Sequence, residues 1–595
     1  MKALKALVPY LRRYRLSIAL GLLAVVAANG VAALSLEAIK HGVDALSEPG
    51  ATRNDVARWA AISVGLALLT GLGRFWMRDI LNGTSRRVEA DLRDDFFAHL
   101  LTLDASFYAR HPTGEIMSRA TNDIQAVRMV AGPAYMYLVN TLVFGVIAVV
   151  RMAWIDPWMT FISLVPMLLL PPVTVGFGRI IHDRFTRIQE QIGLLSTMAQ
   201  ENLAGQRIVK AYGQEAPQSA RFRELSAEAM RRNVELARTS GLFYPSLGLL
   251  AGLAMAVALL AGGRAILAGR ITIGDFVLFV LYLGQLAWPM IALGWVTNLF
   301  QRGAASMARV SEVLGAEPRV RDAPDAAAPE SIRGEIEFRG VSFRYPGADR
   351  DVLRDISFLV PAGSTVAVVG PTGSGKSTLV SLLARLFDPT GGAVTVDGVP
   401  VDRWPLARLR HAVALVPQDT FLFSASIEEN LALGFDEADE ASRLARVRAA
   451  AAVARLDETV SEFPGGYATV LGERGINLSG GQKQRAALAR AVARDAPILV
   501  LDDALSAVDT HTEHEILDGL KQVFAGRTSV IVSHRVAAVM DADLILVLDD
   551  GRLAERGTHA ELLRAGGLYA ALQRRQMLEA QVEGDDLLAA ASGGV

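Results

Sequence analysis

Four stretches of the chain, Leu16–Leu36, Met129–Val150, Gly241–Gly263 and Phe276–Val296, contain no charged side chain. As a helix, each is long enough to cross a hydrocarbon layer of about 30 Å. Buried helices of that length in water-soluble proteins are rarely apolar on every face. Two weaker runs bring the set to six: Trp59–Met77, interrupted by Arg74, and Trp158–Phe177, which contains Pro166, Pro171 and Pro172. Proline is tolerated in spanning helices because neighbouring groups re-satisfy the freed backbone. The connections alternate in kind. Short ones, at about residues 37–58, 151–157 and 264–275, alternate with long charged ones at about 78–128 and 178–238. The long ones are rich in arginine, including Arg86, Arg87, Arg93, Arg184, Arg187 and Arg207. The positive-inside rule places the N-terminus and these long connections in the cytoplasm, and an even number of spans leaves the C-terminal half there too. Within them, Arg87–Leu101 and Phe185–Val209 mix apolar and charged residues at helical spacing. The spans are therefore expected to continue far into the cytoplasm, with separate surface helices as the competing reading.

Around residues 315–333 the sequence GAEPRVRDAPDAAAPESIR is rich in proline and alanine with mixed charge, and it marks a domain boundary. Beyond it, the short β-branched runs Thr365–Val369, Ala393–Val396, Ile498–Leu501, Ser529–Val532 and Leu544–Leu548 alternate with helical stretches. That alternation predicts a mainly parallel sheet flanked by helices. No internal repeat is evident. The expected organisation is a membrane all-α domain of six helices over 1–314, a linker over 315–333, an α/β domain over 334–575, and a tail over 576–595.

Composition agrees with the hydropathy pattern. Of the 595 residues, 51% are apolar and only 21% charged, and the mean hydropathy is positive, an unusual balance for a soluble protein. A formal net charge of −2 without a basic block gives no electrostatic footprint for nucleic acid. There are no cysteines, which excludes disulfides and thiolate metal sites. The basic stretch Lys2, Lys5, Arg12, Arg13 and Arg15 ahead of the first apolar run superficially resembles a secretory leader. The run is too long for one, so a retained first helix is expected.

The chemistry lies in the second half. Strand Thr365–Val369 runs into Gly370-Pro371-Thr372-Gly373-Ser374-Gly375-Lys376-Ser377-Thr378 and then into a helical stretch, which is the P-loop pattern in its strand-loop-helix context. Glycines let the loop curl so that backbone N–H groups point at phosphate oxygens, and the following helix adds its positive end. Lys376 is expected to neutralise the outer phosphates of ATP and Ser377 to hold Mg²⁺. The apolar strand Ile498–Leu501 ends in Asp502, a second oxygen directed at Mg²⁺; alone this signal is weak, because apolar strands often end in Asp.

Between these two segments lies Leu478-Ser479-Gly480-Gly481-Gln482, followed by Lys483, Gln484 and Arg485. This resembles the signature of the ABC-transporter ATPases, and the remaining motifs follow in that family's order. The resemblance implies that Tyr345 stacks on adenine. It implies that Gln418 reaches the metal and the nucleophilic water, and that His534 contacts the γ-phosphate. Asp509 matches the loop crossing a dimer interface. Thr469–Gly475, with Glu473 at its centre, resembles the exporter loop that touches the coupling region. In the membrane half, Ser106–Arg128, Glu201–Glu215 and Gln301–Leu314 resemble the coupling loops and exit helix of six-helix exporters, with Ala211–Glu215 docking on the partner's ATPase domain. The resemblance fades at the linker and after about residue 575.

One residue departs from the family pattern. Where hydrolysing members carry a glutamate that polarises the attacking water, this chain has Asp503. Aspartate is shorter by about 1.5 Å, and a general base must lie within hydrogen-bond reach of its proton. ATP is expected to bind and to be hydrolysed slowly. In the family, two ATPs are sandwiched between the P-loop of one domain and the signature of the other, and an Asp here beside an intact signature resembles the degenerate-site subunit of a heterodimeric exporter. The retained His534 and Gln418 count against that reading, since degenerate sites often lose more than the glutamate. The resemblance implies a dimer embedded in a lipid bilayer that exports hydrophobic or amphipathic compounds, drugs or lipids. Import by a transporter of exporter architecture, as in siderophore uptake, and a homodimeric lipid flippase remain open; six spans weigh against a soluble ABC ATPase. Arg74, Asn140 and Gln285 are polar positions in or near the spans that either face a substrate cavity or bond between helices.

Overall fold

The computed structural model describes residues 2–47, 52–472 and 475–578. They form two compact units, one within Met1–Leu101 and Thr113–Ala316, the other within Thr102–Pro112 and Glu317–Val595.

The first unit is helical. Among the described residues, six helical segments are long and apolar enough to cross a membrane: Arg15–Leu46, Arg53–Thr102, Thr113–Ile155, Pro157–Ala204, Glu215–Leu267 and Ile273–Leu314. The spans do continue through the charged connections. The unbroken helix Glu215–Leu267 has 53 residues, a length of about 80 Å against a hydrocarbon layer of about 30 Å. One of the two weaker apolar runs is interrupted: helix Pro157–Met167 ends at Leu168, and a new helix, Leu170–Ala204, starts with proline in its first turn. There the missing proline N–H would have had no partner in any case.

Small residues let these helices approach closely. Ala254, Ala258 and Ala265 are buried against Leu278, Phe279 and Tyr282, and a Cβ on Gly262 would lie 2.4 Å from the Phe276 ring. Van der Waals fit of this kind holds helices together where lipid is as apolar as leucine. Polar contacts fix both ends of the bundle. Beside the short connections, Asp156 caps helix Pro157–Met167 through the Met159 N–H at 2.9 Å and pairs with Arg270 at 2.9 Å. Lys40 pairs with Asp275 at 2.6 Å, and Asp44 accepts from the Gly274 N–H. At the opposite end Asp123 accepts from Ser306 and Arg309, both at 2.8 Å. The three polar span positions separate. Asn140 accepts a helix-to-helix hydrogen bond from Asn29 at 2.9 Å, whereas Arg74 and Gln285 are exposed.

Among the described residues, the second unit holds two sheets. The larger has six strands in the spatial order Arg552–Gly557, Leu544–Asp549, Thr365–Val369, Thr528–Val532, Ile498–Asp502, Val413–Val416. Every neighbouring pair in it is parallel except the hairpin of the first two. Its inner strands are buried on both faces, as at Thr528–Val532, which is why they read as continuous apolar runs, whereas the edge strand Arg552–Gly557 alternates exposed and half-buried positions. The run at Ala393–Val396 belongs elsewhere. It is part of Gly391–Val396, which pairs antiparallel with Ile336–Phe343 in a separate four-stranded sheet completed by Leu353–Val360 and Val399–Pro400. A β-branched run signals a strand but not its partner, so the second sheet is a correction to the single-sheet expectation. Residues 315–333 contain neither helix nor strand. They lie along the second unit: Arg385 donates to the Arg321 carbonyl at 2.9 Å, and Asp322 accepts from the Leu406 N–H at 2.7 Å.

Candidate functional site

Parallel strands leave a crevice at their carboxyl ends, and loops leaving those ends carry ligands. Here Thr365–Val369 leads into the P-loop, Thr528–Val532 lies beside it and leads to Ser533 and His534, and Ile498–Asp502 comes next and ends on Asp502 and Asp503.

The loop's curl needs its glycines. Gly373 and Gly375 have φ of 83° and 101°, in the left-handed region. A Cβ on Gly370 would lie 2.1 Å from the Leu548 carbonyl oxygen. Gly375 sits at the N-terminal boundary of helix Lys376–Leu383. Lys376 Nζ donates to the Gly370 and Pro371 carbonyls, both at 2.8 Å, bracing the loop across its mouth. Burial lowers the Lys376 pKa from its ordinary value, opposed by the nearby Asp503 and Asp502. The Ser374 hydroxyl is buried without a hydrogen-bond partner among the described residues.

Ser377 Oγ donates to Asp502 Oδ1 at 3.1 Å. Asp502 is 5% exposed; burial raises its pKa above the usual carboxylate range, the Ser377 hydrogen bond opposes this, and the neighbouring Asp503 adds to it. A carboxylate and a hydroxyl stripped of water are the hard oxygen donors that Mg²⁺ takes, usually one or two from protein and the rest from phosphate and water. The residues therefore fit that ion, and a cation beside Asp502 would favour its charged form.

Asp503 has a φ of 49°, a left-handed conformation that Asp tolerates better than most residues. Its N–H donates to the Val532 carbonyl at 2.9 Å, and Oδ1 lies 2.9 Å from His534 Nδ1. An ionised carboxylate is acceptor-only, so this contact assigns a proton to Nδ1 and leaves Nε2 for another partner.

A cavity of about 250 Å³ gathers these groups. Its lining includes Thr372, Gly373, Gly375, Lys376, Ser377, Thr378, Gln418, Asp502, Asp503 and His534 from the sequence-predicted set. Val352, Val532 and Ser533 line it as well, without having been singled out. Val352 carried no signal beyond being apolar ahead of a strand, while Ser533 could have been found as the residue between a buried strand and His534. Gly370, Pro371 and Ser374 support the loop from outside the lining. Tyr345 is not in the lining either. It packs edge-on against Phe343 and Phe387, at 4.9 and 5.3 Å, and its hydroxyl meets Thr378 Oγ1 at 3.0 Å.

The signature residues lie outside this cavity. Leu478 is buried, and Ser479 caps helix Gly480–Arg494 in a reciprocal capping box with Gln482. A Cβ on Gly481 would lie 2.7 Å from the Ala507 carbonyl oxygen. Gln484, quoted in the sequence only as following the signature, is buried and bridges outward: its amide donates to Ser506 Oγ at 2.8 Å and accepts from the Ala507 N–H at 2.8 Å. Asp509 caps helix Thr510–Phe524 through the Thr512 N–H at 3.0 Å. Glu473 lies outside the described residues.

A P-loop ATPase unit following six membrane-spanning helices defines an ATP-driven membrane transporter. The chain belongs to the ABC transporters. Residues 18–290 match the ABC transporter transmembrane region and residues 353–506 the ABC transporter ATPase family model. It is 37% identical over 583 residues to the probable multidrug resistance ABC transporter ATP-binding/permease protein YheI of Bacillus subtilis, covering 98% of this chain and 99% of that one. It is 36% identical over 516 residues to the ATP-dependent lipid A-core flippase of Aromatoleum aromaticum, covering 86% of this chain and 84% of the relative. A solved structure of a bacterial Atm1-family ABC exporter with ATP bound matches with a TM-score of 0.78 at 31% identity, over 94% of this chain and 98% of that one. The protein is a multi-pass membrane protein whose ATPase unit hydrolyses ATP to drive transport.

Proposed function

We propose that this chain is one half of a dimeric exporter of hydrophobic or amphipathic compounds, drugs or lipids, with its ATPase unit in the cytoplasm, and that its own P-loop site is the slow member of an asymmetric pair. The observation that carries the asymmetry is Asp503, a short carboxylate where a longer one serves hydrolysis, beside an intact signature at Leu478–Gln482. Export is supported by the relatives, which are multidrug-resistance proteins and a lipid flippase. The signature's absence from the P-loop cavity of its own chain accords with its serving the ATP of a partner.

In this reading the P-loop amides and Lys376 hold the β- and γ-phosphates of ATP. Ser377, Asp502 and Gln418 would hold Mg²⁺, whose chemistry when bound is to neutralise charge on those phosphate oxygens. Water adds to the γ-phosphorus, the bond to the bridging oxygen of ADP breaks, and the water proton passes towards the Asp503 carboxylate. His534 fixes Asp503 through Nδ1 and presents Nε2 to the phosphate. Binding energy shared by two ATPase units favours their closure, and release of phosphate favours reopening, so the membrane helices alternate between two arrangements. The test is to purify the chain alone in lipid. Transport-coupled ATP turnover at the rate of a competent pair sinks the asymmetric reading and leaves the homodimeric flippase; in inverted vesicles, whose ATPase units face outward, an exporter loads substrate into the lumen, and extrusion of preloaded substrate instead leaves the importer.

A further inference from the structure

The His534 side chain is 53% exposed and, among the described residues, holds one partner of its own, Asp503. Its aim is therefore set by its backbone. That backbone is gripped from an unexpected place: the Gln576 side chain, at the start of the segment where family resemblance fades. Gln576 Nε2 donates to the His534 carbonyl at 2.5 Å, and Gln576 Oε1 accepts from the Val536 N–H at 2.8 Å. The side-chain amide thus pairs with the backbone on both sides of Arg535 as a neighbouring strand would, with two hydrogen bonds of fixed geometry.

The helix that carries Gln576, residues 568–578, is itself well anchored. Glu555 accepts from the Leu568 and Tyr569 N–H groups at 2.5 and 3.2 Å, at the positive end of that helix. Tyr569 is fully buried, and its hydroxyl meets His559 Nδ1 at 2.7 Å. Two turns further on, Gln576 reaches the loop. Arg535 is tied down separately, paired with Glu513 and with its N–H on Ser533 Oγ at 3.0 Å. The Gln576 clamp therefore acts on the two peptide groups that flank Arg535, adding to the Ser533 contact on the first and holding the second through the Val536 N–H.

We propose that Gln576 is a positioning residue for ATP hydrolysis, holding the backbone of His534 so that its imidazole meets Asp503 and the γ-phosphate. It acts on the ATP held by this chain's P-loop, whether that site is fast or slow. The experiment is single-turnover hydrolysis at that site in the full transporter in lipid, with the ATP dissociation constant and thermal stability measured on the same samples. Gln576→Ala is expected to slow hydrolysis about 10- to 100-fold, the cost of roughly 1 Å of lost alignment, with ATP affinity nearly unchanged.

Gln576→Glu is the second variant, because it keeps the size of the side chain. Its ionised carboxylate still accepts from Val536 but faces the His534 carbonyl without a proton to donate. Its deficit relative to wild type is expected to shrink as pH falls from about 7.5 to about 4.5, where a carboxyl of ordinary pKa, about 4.3, regains a proton on a large share of molecules. A role in merely packing the helix would show no such pH dependence. A rate within about twofold of wild type for Gln576→Ala, or a pH-independent deficit for Gln576→Glu, overturns the proposal. The ratio of variant to wild type tests Gln576, while the absolute wild-type rate tests the slow-site reading, so the two fail separately.

Discussion

Replacing Asp503 by glutamate should speed hydrolysis at this chain's own P-loop. The added methylene advances the carboxylate by about 1.5 Å, and misplacement of a reacting group by about 1 Å costs on the order of a hundredfold in rate. Two features of the site oppose that gain. Asp503 has a φ of 49°, and a side chain less able than aspartate to bond locally pays part of the roughly 1–2 kcal/mol left-handed penalty. The hydrogen bond from His534 to Oδ1 at 2.9 Å has to be remade around a longer side chain, with about 1 kcal/mol at stake. Only the part of these costs that rises between the ATP-bound ground state and the transition state slows the reaction. If all of one such bond were lost there, a hundredfold gain would shrink by about a factor of five. The expected outcome is a 10- to 100-fold faster single turnover, with ATP affinity unchanged because Lys376 and the P-loop amides are untouched. The assay is hydrolysis of labelled ATP by the transporter in lipid, with the partner's P-loop lysine replaced if a second subunit is present. A rate equal to or below wild type, with ATP affinity and melting temperature preserved, would refute the claim that carboxylate reach limits this site.

Three further outcomes follow from the same geometry. Ser479→Arg removes a helix cap worth about 1 kcal/mol and places a long cation at an exposed helix N-terminus; in a two-subunit complex it should nearly abolish turnover at the partner's P-loop while leaving ATP binding to Lys376 intact, as read by nucleotide cross-linking. Burial raises the pKa of Asp502, so a proton competes with Mg²⁺ for this carboxylate at a higher pH than it would at an ordinary one; Mg²⁺-dependent ATP affinity should weaken earlier as pH falls towards the acid range, with proton release on binding there, and Asp502→Asn should lose both effects in calorimetry. Asp104 accepts from the Ser106 N–H at 2.8 Å and the Arg319 N–H at 2.5 Å; burial opposes ionisation, but these N–H donors hold the pKa below its usual value. Because the folded pKa is depressed, this contribution is fully present above the unfolded carboxylate value and is lost as pH falls through the folded one. Asp104→Ala should cost about 1.5–3 kcal/mol of local stability, seen as faster hydrogen exchange at Ser106 and Arg319.

What the sequence disclosed depended on whether the signal was local. The six spans were legible because an apolar run is a property of contiguous residues, and the P-loop was legible because strand, loop and helix follow one another within Thr365–Leu383. Helical spacing in Arg87–Leu101 was enough to foresee that the second span continues as Arg53–Thr102. The four-stranded sheet was not foreseen, since Gly391–Val396 finds its partner Ile336–Phe343 across a long sequence separation. Gln484 and Gln576 were missed for the same reason. A glutamine in a helix is ordinarily a solvated residue, and nothing near Gln576 indicates a grip on a loop 42 residues away. Tyr345 had a family role assigned to it, yet its contacts here, behind Thr378 and between two phenylalanines, could be read only from coordinates.

These contacts also bear on how an aspartate at position 503 is compatible with an intact signature. The segment from Asp503 to Ala507 serves two sites. Its first residue offers a carboxylate to the chain's own nucleotide cavity. Its later residues hold Gln484, through Ser506 and Ala507, and so brace the helix that begins at the signature. The Asp503 carbonyl adds to the brace by accepting from Ser506 Oγ at 3.1 Å. Everything in that brace is backbone or belongs to Ser506 and Gln484; none of it uses the Asp503 carboxylate. Shortening a glutamate to aspartate therefore touches the chain's own catalysis and leaves the support of the signature as it was. Loss of the segment's backbone geometry would damage both. In the proposed asymmetric pair, this separation lets one subunit lose reach at its own carboxylate and still complete the site of its partner.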